Sequence, residues 1–406
     1  MARVVEHVEM RGHIIDSLLL PKVLDAILTR GGQYHIHELS LGERQENTSY
    51  AHLEVSAPTP LQLDAILNEI HPHGAVPTEP KDCRVEIADV AGAFPDGFYC
   101  TTNFRTQVRL AGQWIDVAEQ EMDCGLLIEG SHARCVPMTS VKLGDAIVVG
   151  RAGTRVFPPE SEVRRGSIFE FMSSPVSSER PKAVSTREIA AAMKQCRLRG
   201  QKILAVFGPA VVHTGGGEHV VKLVRDGYID VLFAGNALAT HDMEQAMYGT
   251  SLGVSLDEGL PTEEGHEHHL RTINTIRRLG GIRQAIDAGK LSSGIMHACV
   301  RKGVPFVLCG SIRDDGPLPE VITDALVAQA AMRAHVPGLG FCLMVATTLH
   351  SIAVGNLLPA NVKVACVDIN PATVTKLMDR GSTQTVGIVS DAEPFLGLLV
   401  AELEKT

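Results

Sequence analysis

Lys202-Ile-Leu-Ala-Val-Phe207, Ile229-Asp-Val-Leu-Phe-Ala234, Pro305-Phe-Val-Leu-Cys309 and Lys363-Val-Ala-Cys-Val-Asp368 are the runs that decide the fold. Each is too short for a helix and apolar at both odd and even positions, and each is separated from the next by segments with helical patterning. Strands apolar on both faces belong to a parallel sheet covered on both sides. Residues 185–406 are therefore expected to form an α/β, doubly wound domain.

In such a sheet, ligands bind in the crevice beyond the carboxyl ends of the strands, so the residues after each run are the first candidates. Gly208 to Gly217 ends in three consecutive glycines, which read either as an anion-binding nest or as a flexible turn. Ala234-Gly-Asn-Ala237 follows the second run. Gly310-Ser-Ile-Arg-Asp-Asp-Gly-Pro317 follows the third, and its adjacent carboxylates, Asp314 and Asp315, suit binding of amines or hydroxyls, general-base work, or a helix cap. Asp368 ends its strand with a carboxylate, as in sites that bind adenosine ribose. The G-x-G-x-x-G that should precede it is absent; Gly338-Leu-Gly340 is the nearest glycine pair. Ser390-Asp-Ala-Glu-Pro394 supplies another polar strand end, or the start of the last helix.

Amino-terminal to this domain, the helical run Ile15 to Leu28, the strand-like Tyr34 to Leu39 and Ser49 to Ser56, and the helical Leu61 to Ile70 predict a small α/β sandwich over residues 1–97. Short β runs at 107–110, 113–117, 125–128, 133–136 and 146–149, divided by glycine and polar turns, predict a β-rich module. The proline-, serine- and arginine-rich stretch 157–181 reads as a linker, so module and linker occupy 98–184.

The chain has 406 residues, 45% hydrophobic and 21% charged, a composition of a multidomain globular protein. A formal charge of −10, with no compensating basic run, argues against nucleic acid as a partner. The first residues are broken by charges too often for a signal peptide or a membrane span, so a cytoplasmic protein is expected. None of the nine cysteines forms a C-x-x-C pair, and reduced, buried thiols are expected. His266-Glu-His-His269 lacks zincin spacing and reads as a solvated helix face. His35 and His37 share a strand face but equally suit a half-exposed strand. No metal is assigned to either.

Taken together, the motifs carry a family resemblance. The amino-terminal stretch resembles the domain named for lysine-oxoglutarate reductase and saccharopine dehydrogenase. Phe207-Gly-Pro-Ala-Val-Val-His-Thr-Gly, Ala234-Gly-Asn-Ala-Leu-Ala-Thr-His-Asp, Ser311-Ile-Arg-Asp-Asp-Gly-Pro-Leu-Pro and Leu349-His-Ser-Ile-Ala-Val-Gly-Asn-Leu-Leu-Pro resemble archaeal-type ornithine cyclodeaminases. Nearly the whole chain is covered, as is the carboxyl-terminal part of cyanobacterial arginine dihydrolase fusions.

The resemblance implies a Rossmann-like NAD domain of the deoxyhypusine-synthase type, which would explain the missing glycine motif. It implies NAD contacts at Asn236, Ala237, Asp314, Ala346, Thr347, Thr348, Leu349, His350, Asp368, Asp391 and Ala392. It also implies a redox-neutral cycle in which NAD+ takes hydride from the ornithine α-carbon, the δ-amine attacks the resulting imine, ammonia leaves, and the hydride returns to give proline. Asp314 or Asp315 is the expected base, with Arg313 as a substrate-carboxylate clamp. L-ornithine is the expected partner, and a homo-oligomer is expected. An NAD-dependent amino-acid dehydrogenase or saccharopine-type reductase is the second reading, and a non-catalytic NAD sensor the third.

Overall fold

The computed structural model describes residues 3–15, 17–42, 47–79, 81–158, 182–251, 254–255, 267–314, 316–381 and 385–405. The chain divides into two units, 1–167 with 358–361, and 168–357 with 362–406. Among the described residues, no helix is long and apolar enough to cross a membrane.

The first unit opens on an antiparallel sheet of order β2-β3-β1-β4, built from β1 (Val4–Gly12), β2 (Gln33–Ser40), β3 (Ser49–Ala57) and β4 (Val76–Pro77). Val8, Met10, Leu53 and Val55 pack against Val23, Ile27, Ile66 and Ile70 of helices Leu19–Thr29 and Pro60–Ile70. That makes the expected sandwich. The second helix starts where it does because Thr59 accepts from the Gln62 N–H and Pro60 fits the first helical position. Strand β1 is an addition to the sequence reading, in which its charges had masked a period-two alternation: Val8 and Met10 point into the core, His7, Glu9 and Arg11 away from it.

A second sheet has the order β11-β6-β7-β9-β8-β10-β5. Its strands are β5 (Arg84–Ile87), β6 (Arg105–Leu110), β7 (Gln113–Ala118), β8 (Gly125–Glu129), β9 (His132–Val136), β10 (Ala146–Val149) and β11 (Thr154–Phe157). It is the β-rich module, and β5, ahead of residue 98, belongs to it by pairing with β10. Between β6 and β7 the chain reverses through Ala111 and Gly112, both at positive φ (48° and 81°), the twist that a tight hairpin requires. Pairing continues through β11 to Phe157, where the linker was expected to begin; residues 159–181 of that stretch lie outside the described residues. Buried His71, just past the helix Pro60–Ile70, has Nε2 3.1 Å from Thr154 Oγ1 and 3.4 Å from the Tyr99 hydroxyl.

The second unit holds a parallel sheet of order β17-β16-β13-β12-β18-β19-β20, with a two-residue ribbon of β14 (Thr250–Ser251) and β15 (Val254–Ser255) beside it. The large sheet comprises β12 (Lys202–Phe207), β13 (Val231–Gly235), β16 (Phe306–Cys309), β17 (Val321–Ile322), β18 (Leu339–Val345), β19 (Lys363–Asp368) and β20 (Thr385–Val389). From β12 the chain winds outward through β13, β16 and β17, then returns to β18 and winds the other way. The switch point therefore lies between β12 and β18.

Strand β18, buried at all seven positions, contains Gly340, so the glycine pair nearest to Asp368 is the entry to a strand and not a glycine-rich loop. Gly338 and Gly340 bring the chain into the strand at the amino edge of the sheet, where a Cβ on Gly340 would lie 2.5 Å from Gln201 Oε1. Seven of the nine cysteines are buried, and all nine are free thiols.

Candidate active site

At the switch point the loops after β12 and β18 nearly touch. Gly208 N–H donates to Val345 O at 3.0 Å, and a Cβ on Gly208 would fall 1.9 Å from Ala346 O. Ala346, the first residue beyond β18, takes φ +56° although it is not glycine, and its N–H donates to Val367 O. Backbone held in that region stores strain of the kind found around ligand clamps.

Most sequence-predicted cofactor residues gather on this carboxyl edge. Thr347 and Thr348 follow Ala346, and Thr348 Oγ1 lies 2.7 Å from Thr373 Oγ1. Leu349 is exposed. His350, its pKa lowered by burial, approaches the end of β13, where a Cβ on Gly235 would be 3.2 Å from its Cε1. Asn236 and Ala237 open the helix Asn236–Tyr248 directly after β13. Buried Asn236 Oδ1 accepts from Leu318 N–H at 3.0 Å, tying that end to the loop after β16. Asp368 ends β19, 7% exposed, with Oδ1 accepting from Asn370 N–H at 2.8 Å. Asp391 caps the helix Ala392–Glu404 through the Ala392 N–H, a structural role that the sequence already offered as its plainer reading.

Of the two expected bases, Asp314 closes a turn rather than a helix: Oδ2 accepts from Ser311 N–H at 2.8 Å. Asp315 lies outside the described residues. Arg313 is exposed, with its N–H donating to Ser311 Oγ. The three glycines 215–217 turn the chain from helix Ala210–His213 into helix Gly217–Arg225, and Gly216 packs close to Leu396 and Glu393 of the last helix.

A buried histidine–carboxylate network was not read from the sequence. His213 and His241 each fall six residues beyond a strand end, of β12 and β13 respectively. Their rings meet at 4.7 Å, and His213 Nδ1 lies 2.6 Å from Ser251 Oγ. His241 Nδ1 lies 2.7 Å from Glu244 Oε2, while Glu244 Oε1 accepts from Thr250 Oγ1 at 3.0 Å. Thr250 Oγ1 lies 2.8 Å from His268 Nδ1, whose ring stacks on Tyr248.

One assignment satisfies the chain. His268 Nδ1–H donates to Thr250, Thr250 donates to Glu244, and His241 Nδ1–H donates to the other carboxylate oxygen. His241 Nε2 is then the ring atom able to accept a proton. Burial, and next the neighbouring His241, push the His213 pKa down to about 4, so that imidazole is neutral near pH 7.

This corrects the reading of the 266–269 stretch as a solvated face. His268 and His269 are half-buried, with His269 6.3 Å from His241, while His266 lies outside the described residues. The available signal was the i, i+3 spacing of His241 and Glu244, which places both on one helix face.

Asp242, between them, faces elsewhere. Its carboxylate accepts from the Ile295 and Met296 N–H groups at 2.6 and 2.8 Å, capping another helix, and burial pushes its pKa up to about 7. Thr240 Oγ1, on the same helix, is buried and has no hydrogen-bond partner among the described residues. An orphaned buried hydroxyl and a loop pair too close for a side chain fit a bound dinucleotide that approaches backbone directly and supplies polar partners.

A parallel sheet with its switch point beside this polar edge defines a Rossmann-type α/β protein. Residues 187–399 match the family model described as arginine dihydrolase ArgZ-like, C-terminal, Rossmann fold. Residues 105–186 match the first region of that same C-terminal part, and 5–104 the LOR/SDH bifunctional enzyme conserved region. The chain belongs to the ArgZ-like C-terminal family, together with the archaeal ornithine cyclodeaminases.

It is 50% identical over 400 residues to the ornithine cyclodeaminase of Methanothermobacter thermautotrophicus, covering 98% of this chain and 97% of that one. It is 51% identical over 402 residues to that of Methanopyrus kandleri, with the same coverage. The apo crystal structure of ArgZ, an arginine dihydrolase from the ornithine-ammonia cycle in cyanobacteria, matches with a TM-score of 0.85 at 39% identity, covering all of this chain and 59% of ArgZ. The ternary complex of AgrE with ornithine and NAD+ matches with a TM-score of 0.55 at 41% identity, covering 99% of this chain and 58% of AgrE. The chain thus spans somewhat over half the length of these fusion proteins.

Proposed function

We propose that this chain is an ornithine cyclodeaminase, converting L-ornithine to L-proline and ammonia with NAD bound at the carboxyl edge of the parallel sheet. Full-length identity to the archaeal enzymes supports the reaction, and the AgrE complex with ornithine and NAD+ supports the ligands. The observation that carries the reading in this chain is the buried His241–Glu244 pair, set beyond the same sheet edge as the crevice between β12 and β18. When bound, NAD supplies an acceptor and later a donor of hydride for the substrate α-carbon.

The protein's own work is binding, orientation and proton movement. Asp368 holds the adenosine ribose hydroxyls by a charge-assisted hydrogen bond. Asn236, Ala237, the segment Ala346 to His350, and Asp391 with Ala392 line the rest of the crevice. His241 Nε2 takes the proton that the substrate ammonium must lose before its nitrogen can attack. Glu244 fixes the tautomer and balances the charge of the imidazolium that forms. Asp314, with Asp315 as the other loop carboxylate, holds a substrate ammonium group. Arg313 stands as the clamp for the substrate carboxylate.

Nine free thiols, seven of them buried, support a reducing, cytoplasmic compartment, and the proposed assembly is a homo-oligomer.

Ornithine deuterated at the α-carbon tests the reaction directly. A closed cycle returns the label, so proline should retain deuterium and absorbance at the NADH band should not accumulate. Deuterium-free proline would refute direct return. NADH accumulating with no proline would make the enzyme a dehydrogenase.

A further inference from the structure

The open face of the first sheet, away from helices Leu19–Thr29 and Pro60–Ile70, carries His7 and Glu9 on β1, His52 and Glu54 on β3, and His35 and His37 on β2. His7 on β1 and Glu54 on β3 are direct cross-strand partners, as are Glu9 and His52. On the other side of β3 the ladder with β2 slips between Ile36 and Glu38, making His37 the extra residue of a bulge. A bulge re-aims a side chain that strict alternation would hold in register. His37 Nε2 here lies 3.1 Å from Glu54 Oε2, and its ring centroid lies 5.3 Å from that of His7 and 5.2 Å from that of His52.

We propose that His7, His37 and Glu54 form a binding site for a zinc-type divalent cation, with His52 orienting His7. The candidate ligand atoms all lie within 4.8 Å of one another. Ligands about 2.0–2.2 Å from a tetrahedral zinc stand roughly 3.3 Å apart, so side-chain rotation alone closes the site. Two imidazole nitrogens and one carboxylate oxygen select zinc, nickel or copper over calcium and magnesium, which take oxygen ligands.

His7 also has the outer partner that ligating histidines use. Its Nδ1 is 3.2 Å from His52 Nε2, so Nδ1–H donates there while Nε2, 4.0 Å from Glu54 Oε2, faces the ion. Side-chain exposures of 42%, 38% and 35% for His7, His37 and Glu54 leave the ion a path in and room for water as a fourth ligand. The site would clip edge strand β2 to β1 across β3, a structural role separate from the parallel sheet of the second unit.

The test uses the full chain, stripped of metal with a chelator and titrated with zinc by calorimetry, alongside thermal unfolding and cobalt absorption spectra. The expected result is saturable binding of one zinc, a rise in unfolding temperature, and tetrahedral cobalt bands; calcium and magnesium should do none of this. His37→Ala and Glu54→Gln should each weaken zinc about tenfold or more and abolish the thermal shift, with NAD affinity unchanged. Glu54→Gln keeps the side-chain shape, so it decides the matter if His37→Ala does not fold. No saturable zinc binding in the parent chain, or parental zinc affinity in folded Glu54→Gln, overturns the site.

Discussion

His241 Nδ1 lies 2.7 Å from Glu244 Oε2 on one helix, and that carboxylate is fully buried while accepting a second hydrogen bond from Thr250. A buried carboxylate that holds one imidazole nitrogen leaves the other as the proton acceptor. His241→Asn should lower kcat by about 10²-fold or more, the scale of lost general-base catalysis, with NAD affinity preserved. Glu244→Gln should lower kcat and displace the acid limb of the rate–pH profile, which a purely structural role would not do. Parental kcat in both folded variants would return proton transfer to the loop carboxylates Asp314 and Asp315.

Asp368 closes β19 with its carboxylate at the carboxyl edge. Losing a charge-assisted hydrogen bond to ribose costs roughly 1.5–3 kcal/mol, so Asp368→Ala should weaken NAD about 10- to 100-fold by calorimetry. Unchanged affinity in the folded variant would remove Asp368 from the site.

Gly208 tests the crevice geometry. A methyl group there would fall 1.9 Å from Ala346 O, a backbone atom that cannot swing aside. Gly208→Ala should force the β12 and β18 loops apart, destabilise the second unit by about 1–3 kcal/mol, and weaken NAD binding as well. Denaturant unfolding with and without NAD measures both, and an unaltered midpoint would contradict the packing described.

His71 makes the first unit sensitive to acid. Burial, and secondarily Arg151, push its pKa from 6.5 down to about 4. The folded state therefore prefers the neutral ring. Its contribution is present above pH 6.5 and is lost as pH falls through about 4, an upper limit of about 3 kcal/mol. His71→Gln can still donate to Thr154 but does not titrate, so urea midpoints followed from pH 7 to pH 4 should fall less steeply than in the parent. Equal slopes would show that other groups govern acid unfolding.

The sequence by itself determined the parallel sheet, because strands apolar on both faces have one stable environment, between two layers of helices. The runs at 202–207, 305–309 and 363–368 needed no long-range information to be read. It also marked the carboxyl edge, since glycine and polar residues directly follow the strand runs, and family resemblance then supplied NAD and ornithine. Tertiary structure alone decided what lies beside what. The pairing of β18 with β12 placed Ala346 against Gly208. Docking of helix His268–Leu279 near the ribbon drew His268 into the buried network with Thr250 and Glu244, although its sequence reads as solvated. The bulge that turns His37 toward Glu54 is likewise invisible to period-two patterning, because register is set by the partner strand and not by the residues of β2.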